Sequence, residues 1–118
     1  MSAVTSTILV VEDDAIVRML IVDVLEELEF NVLEADGSDT ALDILRQADT
    51  RIDLLMTDVG LPEMDGRELA KAACQMRPGL PVLFASGYAE SIELAPGVQV
   101  IGKPFSIDQL RLKIKSIL

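Results

Sequence analysis

The sequence predicts a doubly wound α/β domain, (βα)5, whose five-stranded parallel sheet has the strand order 2-1-3-4-5. Short apolar runs rich in Val, Ile and Leu alternate with amphipathic segments along the 118 residues. The runs lack polar alternation, which is typical of strands covered on both faces. Each run is followed by a segment with helical spacing, so the strands are expected to pair in parallel through right-handed crossovers.

In the first half of the chain, two strand–helix units lead to a third strand. The strands are predicted over Ile8 to Val11, Asn31 to Ala35 and Ile52 to Thr57. The first helix is expected from Asp14 to Glu29, and the second is expected to begin with Ser38 as its N-cap. The predicted inner faces comprise Val17, Ile21, Val24 and Leu28 in the first helix and Ala41, Leu45 and Ala48 in the second.

The second half adds two strands and three helices. The strands are predicted over Pro81 to Ala85 and Val98 to Ile101. Asp65 with Glu68 predicts the start of the third helix, and Ser106 with Gln109 predicts a capping box for the last one. The fourth helix, Ala89 to Leu94, is expected to be short or irregular. The predicted buried positions are Leu69, Ala72, Ala73 and Met76 in the third helix and Ile107, Leu110, Ile114 and Ile117 in the last.

Length and composition favour one domain over residues 1–118, with residues 1–6 flexible. The net charge of −10 argues against nucleic-acid binding and is compatible with a basic partner. No apolar run approaches the roughly 20 residues that span a bilayer, and the single cysteine, Cys74, excludes an internal disulfide. A cytoplasmic location is therefore expected. Because His is absent, any metal is expected to bind through oxygen, as Mg²⁺ or Ca²⁺ does.

Chemistry-bearing residues follow the strands at the edge where a sheet of this kind binds ligands. The residues are Glu12, Asp13 and Asp14 after strand 1, Asp58 after strand 3, Ser86 and Gly87 after strand 4, and Gly102, Lys103 and Pro104 after strand 5. Crowded carboxylates repel each other unless a cation such as Mg²⁺ lies between them. With a lysine and a hydroxyl beside them, they suit phosphoryl transfer.

Each of these residues also has an ordinary structural explanation. Asp14 and Asp65 are more readily understood as helix N-caps than as ligands. Ser86 and Lys103 alone would be a loop serine and a solvated lysine. Asp58 is different, because it follows an apolar run in which a carboxylate is poorly solvated unless it is paired. Independent caps and loop residues need not meet at one edge, so their convergence favours a functional site.

These residues form four motifs that resemble the receiver domain of two-component response regulators, over roughly Thr7 to Leu118. The motifs are Ile-Leu-Val-Val-Glu-Asp ending at Asp13, Asp-Val-Gly-Leu-Pro-Glu-Met-Asp-Gly from Asp58 to Gly66, Ser86-Gly87, and Lys-Pro-Phe from Lys103. Each motif alone is of limited specificity, whereas the four in order at successive strand ends are highly specific. The resemblance implies a flavodoxin-like fold and a phosphoacceptor function.

The resemblance also implies roles for the matching residues. Asp58 matches the phosphoacceptor and a metal ligand, Asp13 matches a direct Mg²⁺ ligand, and Glu12 matches a ligand that acts largely through water. The backbone carbonyl of Gly60 matches a further metal ligand. No cofactor other than Mg²⁺ is implied.

Two residues after the fourth and fifth strands complete the implied site. Ser86 matches the hydroxyl that moves toward the phosphoryl group, and Lys103 matches the lysine that pairs with that group. The bond from Lys103 to Pro104 is typically cis in the family. Gly87 belongs to the same motif as Ser86, and Tyr88 is expected to border the water that attacks during dephosphorylation.

Members of the family receive the phosphoryl group from a histidine kinase or a histidine phosphotransfer protein, which the resemblance implies as the partner. The apolar excess at Ile16, Met19 and Leu20 suggests that this partner docks beside the first helix. The expected output surface is the fourth helix, the fifth strand and the last helix. A monomer or a weak phosphorylation-dependent dimer is expected, and no activity as an enzyme beyond assistance to its own phosphorylation and dephosphorylation.

Three departures from the usual pattern affect the expected switching mechanism. Val100 lies where the family usually has an aromatic residue that swings inward. Only sixteen residues separate Ser86 from Lys103, fewer than in typical receivers. The sequence Phe-Ala-Ser-Gly-Tyr from Phe84 to Tyr88 resembles a subgroup with a Phe-Ala-Thr-Gly-Tyr motif and a reduced fourth helix, which includes single-domain regulators and receivers attached to kinases.

Other functions remain open at the level of sequence. A phosphorylation-independent interaction domain is favoured by the shortened fourth helix and the missing aromatic residue, although the intact Asp58, Asp13, Ser86 and Lys103 argue against it. A phosphatase with an aspartyl-phosphate intermediate is disfavoured, because the chain has no room for a substrate-binding cap domain. A flavodoxin-like electron carrier is disfavoured by the acidic first βα loop, since an FMN phosphate needs N–H or cationic donors.

Overall fold

A computed structural model describes residues 6–47, 49–59, 65–86, 98–102 and 105–118 of the chain. The strands are β1 (Thr7–Val11), β2 (Asn31–Ala35), β3 (Leu54–Asp58), β4 (Val82–Ser86) and β5 (Val98–Gly102). The helices within these ranges are α1 (Ala15–Glu27), α2 (Ser38–Leu45), α3 (Gly66–Met76) and α4 (Ile107–Ile117). The five strands form one sheet in the order β2-β1-β3-β4-β5, and the predicted fold is confirmed. The predicted fourth helix, 89–94, lies outside the described residues.

All strand pairs are parallel, and their register brings the carboxyl ends of β1 and β3 together. Val11 at the end of β1 lies opposite Ala35 of β2 on one side and Thr57 of β3 on the other. The residues after Val11 and Thr57, which are Glu12 and Asp58, therefore emerge side by side. Successive βα units place these carboxyl ends at one edge of the sheet.

The sheet separates two hydrophobic cores, and residues of each central strand alternate between them. In β1, Leu9 and Val11 pack against the face covered by α2 and α3. Ile8 and Val10 pack against the opposite face, which is covered by α1 and α4. Because the central strands are buried on both faces, their apolar runs show no alternation with polar residues, which is the pattern seen in the sequence.

Three of the four predicted helix N-caps are confirmed. Asp14 is the N-cap of α1 and accepts hydrogen bonds from the backbone N–H groups of Ile16 and Val17. Asp65 is the N-cap of α3, and Ser106 forms the capping box with Gln109 at the start of α4.

The prediction that Ser38 is the N-cap of α2 is wrong. Gly37 occupies that position in an extended conformation, without a capping side-chain hydrogen bond. Ser38 is the first helical residue, and its side chain turns inward and is buried.

Several predicted element ends and buried positions also differ from the structure. β3 begins at Leu54, not Ile52, because the Asp53 carboxylate accepts the Thr7 N–H at 2.7 Å before the ladder starts. α1 ends two residues earlier than predicted, and Glu29 adopts a φ of 70°.

Met76 and Ile107 were expected to be buried and are exposed. The buried face of α3 runs instead through Leu69, Ala70 and Ala73, which leaves Met76 in the last turn at the rim. Within the described ranges, none of the helices has both the length and the apolar character needed to cross a membrane.

Candidate functional site

The first part of the site is the segment after β1. The side chain of Glu12 is only 3% exposed, although it is a carboxylate at the edge of a sheet. The backbone N–H of Glu12 donates to the Ala35 carbonyl at 3.1 Å and continues the β1–β2 ladder by one residue. Its Oε2 atom accepts the Asp14 N–H at 3.2 Å. Glu12 is therefore held at both its backbone and its side chain, while Asp13 beside it is exposed.

Arg18 fixes this segment from one turn inside α1. Its Nη1 atom donates to the backbone carbonyl of Glu12 at 2.8 Å, and its Nε atom contacts Glu34 Oε1 at 3.4 Å. The Arg18 side chain is 19% exposed, so the guanidinium is largely shielded from water. Arg18 had no predicted role. The spacing could have predicted its contact with the segment after β1, because a helical side chain leans toward the N-terminus of its helix and Arg18 lies one turn after Asp14.

The second part of the site is the end of β3. Asp58 is partly buried, and its carbonyl oxygen accepts the hydroxyl hydrogen of the buried Thr57 at 2.9 Å. The start of α3 packs directly on this backbone. A Cβ atom built on Gly66 would lie 2.1 Å from the Asp58 carbonyl oxygen and 2.9 Å from the Cα of Val59.

Gly66 also donates its N–H to the Val59 carbonyl at 2.8 Å. Only glycine fits at this position, because any side chain would push the α3 N-terminus away from Asp58. Gly66 ends one of the four motifs but had no predicted role. Its spacing from Asp58 did not reveal that the two backbones are in contact.

At the edge of the sheet these two parts meet. Ligand atoms of Glu12, Asp13 and Asp58 all lie within 4.8 Å of one another, as the sequence analysis predicted for these three residues. Opposite oxygens of an octahedral Mg²⁺ shell lie about 4.2 Å apart, since each is about 2.1 Å from the ion. The group is thus of the size that one Mg²⁺ ion needs, and its all-oxygen composition suits a hard cation. The donor set fits the metal that the sequence implied.

The other predicted site residues are only partly covered by the structure. The backbone of Ser86 ends β4, beside Gly102 of β5, at the same edge of the sheet as Asp58. Gly60, Gly87, Tyr88, Lys103 and Pro104 lie outside the described residues, so their predicted roles stay predictions. Val100, at the position of the missing aromatic residue, is partly buried in β5 and packs against the core between the sheet and α2–α3.

Asp65, the residue before the first residue of α3, has a structural role near the site. Hydrogen bonds from the Arg67 side chain lower the pKa of the Asp65 carboxyl, and partial burial opposes this effect. The Arg67 backbone N–H donates to Asp65 Oδ1 at 2.7 Å, as expected for an N-cap. The structure thus supports the interpretation of Asp65 as a cap.

Residues 8–115 match the family described as "Response regulator receiver domain", and the chain belongs to this family. It is 34% identical over 119 residues to the sensor kinase CckA of Brucella abortus, an alignment that covers 97% of this chain and 13% of CckA. It is also 34% identical over 117 residues to the response regulator receiver protein CpdR of the same organism, covering 94% of this chain and 95% of CpdR.

A solved structure of the receiver domain from the hybrid histidine kinase CckA is similar as well. It has a TM-score of 0.85 and 36% identity, and the match covers 96% of this chain and 99% of that domain. The chain is therefore a receiver domain of the two-component signalling type. The chain spans nearly all of CpdR and only 13% of the much longer kinase CckA. The similarity therefore concerns the receiver domain itself and does not identify a partner.

Proposed function

We propose that Asp58 accepts a phosphoryl group with the help of Mg²⁺, and that this modification changes which partners the domain binds. The observation that carries the proposal is the meeting of Glu12, Asp13 and Asp58 within 4.8 Å at the carboxyl edge of the sheet. Three carboxylates this close repel each other unless a cation is shared between them. In a receiver domain, the same cation-loaded edge is suited to receive the negatively charged phosphoryl group.

The residues of the chain divide the work of the transfer. An oxygen of the Asp58 carboxylate forms the bond to phosphorus while the bond from phosphorus to a histidine nitrogen of the donor breaks. The imidazole keeps that electron pair and takes a proton from solvent. Mg²⁺ held by Glu12, Asp13 and Asp58 would reduce the repulsion between the carboxylates and the phosphoryl oxygens.

Three residues have proposed roles that rest on the family resemblance. Lys103 would pair with a phosphoryl oxygen, and the Gly60 carbonyl would complete the metal ligands. Ser86, whose backbone ends β4, would donate its hydroxyl hydrogen to another phosphoryl oxygen. The domain thereby acts as a signalling phosphoacceptor and assists only its own phosphorylation and dephosphorylation.

The proposed phosphoryl donor is a histidine kinase or a histidine phosphotransfer protein in the cytoplasm. Its proposed docking face is α1, where Ile16, Met19 and Leu20 are all more than half exposed. Phosphorylation would then change the surface formed by β5 and α4, through which a downstream protein or a weak dimer partner would bind. The net charge of −10 supports protein partners over nucleic acid.

Intact mass measurement after incubation with acetyl phosphate tests this function. We expect a gain of one phosphoryl group that requires Mg²⁺ and is absent in Asp58→Asn. Asp39→Asn, which removes an exposed carboxylate in α2, is the matched control and should be labelled like the unmodified protein. Failure to label with Mg²⁺, under conditions that label another receiver, would contradict the proposal.

A phosphorylation-independent interaction domain is the second candidate. Val100 favours it, because this partly buried side chain packs against the core and has no aromatic ring that could change position on activation. The beryllofluoride complex, a mimic of the phosphorylated state, separates the two candidates. If beryllofluoride binds at Asp58 and leaves the affinity for a partner unchanged, the second candidate is the better one.

A further inference from the structure

The strand β2 lies at one end of the sheet, where its outer edge is open. In the described part of the chain it pairs with β1 alone. The Asn31 N–H donates to the Ser6 carbonyl at 3.0 Å, and the Ala35 carbonyl accepts the Glu12 N–H at 3.1 Å. The backbone groups of Asn31 and Ala35 therefore face β1 and not the open edge.

The backbone groups of Val32 and Glu34 point outward. Successive residues of a strand direct their N–H and C=O groups to opposite edges, so Leu33 faces β1 and its two neighbours face away from it. No residue in the described ranges donates to these outward carbonyls or accepts from these outward N–H groups. An added strand can thus form main-chain hydrogen bonds here without displacing an existing one.

On the face covered by α1, the open edge is acidic. Arg18 Nε lies 3.4 Å from Glu34 Oε1, so the side of α1 that carries Arg18 faces the edge of β2. Glu26 lies on the same side of α1, about two turns further along, and Glu29 lies in the turn that leads into β2. Glu26 and Glu29 are exposed, and the Glu34 side chain is 52% exposed, whereas that of Arg18 is only 19% exposed. The charge presented to solvent along this face is therefore negative.

On the face covered by α2, the edge is apolar. Leu33 points to this face, because side chains alternate along a strand and Leu33 packs against the core beneath α2. Leu33 and Ile44 of α2 are both only partly buried there. A strand added to β2 would extend the apolar core on this face and would meet carboxylates on the other.

We propose that the open edge of β2 binds an extended segment of a partner protein as a sixth strand, in which basic residues facing α1 alternate with apolar residues facing α2. Main-chain hydrogen bonds supply the affinity. The alternation fixes the register, because a shift by one residue would place the basic side chains on the apolar face. Residues 12–49, which include β2 and both flanking helices, contain twelve acidic and two basic residues and hold the whole net charge of −10. The field around β2 therefore attracts a basic segment.

A second copy of this chain is a poor occupant of the same edge. Two β2 edges side by side would bring Glu26, Glu29 and Glu34 of one copy close to the same residues of the other. Charged side chains commonly prevent such self-pairing of open edges. Since β1 separates β2 from β3, the inference does not depend on phosphorylation of Asp58.

Two fluorescent peptides test the charge preference. In one, Lys alternates with Val, and in the other Glu takes the place of each Lys. Fluorescence anisotropy with the full chain at low salt should show binding of the Lys peptide that is on the order of tenfold tighter, with a preference that falls as salt screens the charges.

Two substitutions at Val32 test the backbone pairing. Val32→Pro removes an outward N–H that β1 does not use, so the β1–β2 ladder is kept while strand addition is blocked. Binding of the Lys peptide should weaken on the order of tenfold or more. Val32→Thr keeps the N–H and is the matched control, which should bind like the unmodified protein. Circular dichroism melting shows whether both variants are folded.

Amide hydrogen exchange, followed by NMR on the unmodified protein, locates the bound strand. The N–H groups of Val32 and Glu34 should exchange rapidly in the free protein and become protected by the Lys peptide. The Leu33 N–H faces β1 and should be protected with and without the peptide. This measurement decides the question even if Val32→Pro does not fold.

The acidic face is tested by Glu26→Gln with Glu29→Gln, which should weaken binding of the Lys peptide about fivefold. Asp39→Asn with Asp43→Asn makes the same change of charge on exposed positions of α2 and should weaken it by less than about twofold.

Four outcomes would overturn the inference. They are no binding of the Lys peptide, equal affinity for the two peptides, equal binding by the Pro and Thr variants of Val32, and protection by the peptide that leaves out Val32 and Glu34. Protection of these two amides that rises with protein concentration, without any peptide, would show that a second copy is the occupant and would overturn it as well.

Discussion

The two halves of the acidic site are held in place by different means. After β1, the Glu12 segment is fixed by side chains, since Arg18 binds the Glu12 carbonyl and the Glu12 carboxylate binds the Asp14 N–H. After β3, Asp58 is fixed by backbone packing, since the α3 N-terminus at Gly66 lies directly against its carbonyl. A side-chain support can be weakened in steps, whereas a backbone contact tolerates no added atom.

The two kinds of support make one half of the site more adjustable than the other. The metal-binding segment after β1 can move slightly when its hydrogen bonds change, because Asp13 is exposed and two of the segment's hydrogen bonds are made by the side chains of Arg18 and Glu12. The phosphoacceptor segment after β3 is set by the distance between two chain segments. Substitutions in the first half should alter metal affinity, and substitutions in the second half should alter stability and activity together.

The largest effect is expected for Gly66→Ala. The new Cβ would lie 2.1 Å from the Asp58 carbonyl oxygen, so α3 or the end of β3 must move. We expect a loss of about 2–4 kcal/mol in the free energy of unfolding, typical of overpacking and backbone displacement. Urea unfolding measures this loss, and labelling by acetyl phosphate should fall with it.

Gly37→Ala is the matched control for Gly66→Ala. Its Cβ would have no atom within 4 Å, and its extended backbone is accessible to alanine. We expect a change within about 0.5 kcal/mol. If Gly66→Ala were as mild as Gly37→Ala, the backbone contact would not be what holds Asp58.

An intermediate effect is expected for Arg18→Ala, which tests the side-chain support. Loss of the 2.8 Å hydrogen bond leaves the Glu12 segment less constrained, and we expect Mg²⁺ affinity to fall on the order of tenfold, as for other residues that orient metal ligands. Removal of a positive charge near the site would by itself strengthen Mg²⁺ binding. The direction of the change therefore distinguishes positioning from charge, and calorimetric titration with Mg²⁺ measures it.

Arg18→Lys and Arg46→Ala complete this experiment. Lysine keeps the charge without the fork of donors that joins the Glu12 carbonyl to Glu34, so partial weakening is expected. Arg46, in an exposed pair with Asp43 on the other side of the sheet, should have no effect on Mg²⁺ affinity. Tighter Mg²⁺ binding by Arg18→Ala would show that the guanidinium acts through its charge.

The sequence predicted the fold and the acidic cluster because both depend on regular patterns. Apolar runs and helical spacing determined the order of elements, and the strand order determined which strand ends meet. Glu12, Asp13 and Asp58 could thus be brought together without coordinates. The prediction of Ser38 as an N-cap was wrong because Gly37 could take that position equally well, and only packing decides which residue turns inward.

The contacts of Gly66 and Arg18 that hold the site in place could not be predicted from the sequence pattern. The contact of Gly66 with Asp58 depends on the path of the chain through residues between them, which spacing alone does not specify. Arg18 had no predicted role because it lies outside the predicted inner face of the first helix. Its side chain is only 19% exposed because it folds back onto the segment after β1. Helical periodicity does not predict such a contact.

The smallest effect concerns pH and the support of α3 by its N-cap. The Arg67 side chain lowers the pKa of Asp65 in the folded protein, so ionised Asp65 stabilises the fold at pH values above its unfolded pKa. This stabilisation is lost as the pH falls through the lowered pKa, which places the loss below about pH 4. Because the side chains of Asp65 and Arg67 are 35% and 60% exposed, we expect at most a few tenths of a kcal/mol.

Urea unfolding of the unmodified protein and of Arg67→Gln at pH 7 and pH 3 measures this term. The loss of stability on acidification should be slightly smaller in Arg67→Gln, whereas Arg46→Gln, in a different exposed pair, should leave the α3 contribution intact. A larger acid sensitivity in Arg67→Gln would contradict the assigned cause. The backbone contact of Gly66 with Asp58 is independent of charge. Acidification should therefore weaken the N-cap interaction of Asp65 with Arg67 without displacing Asp58.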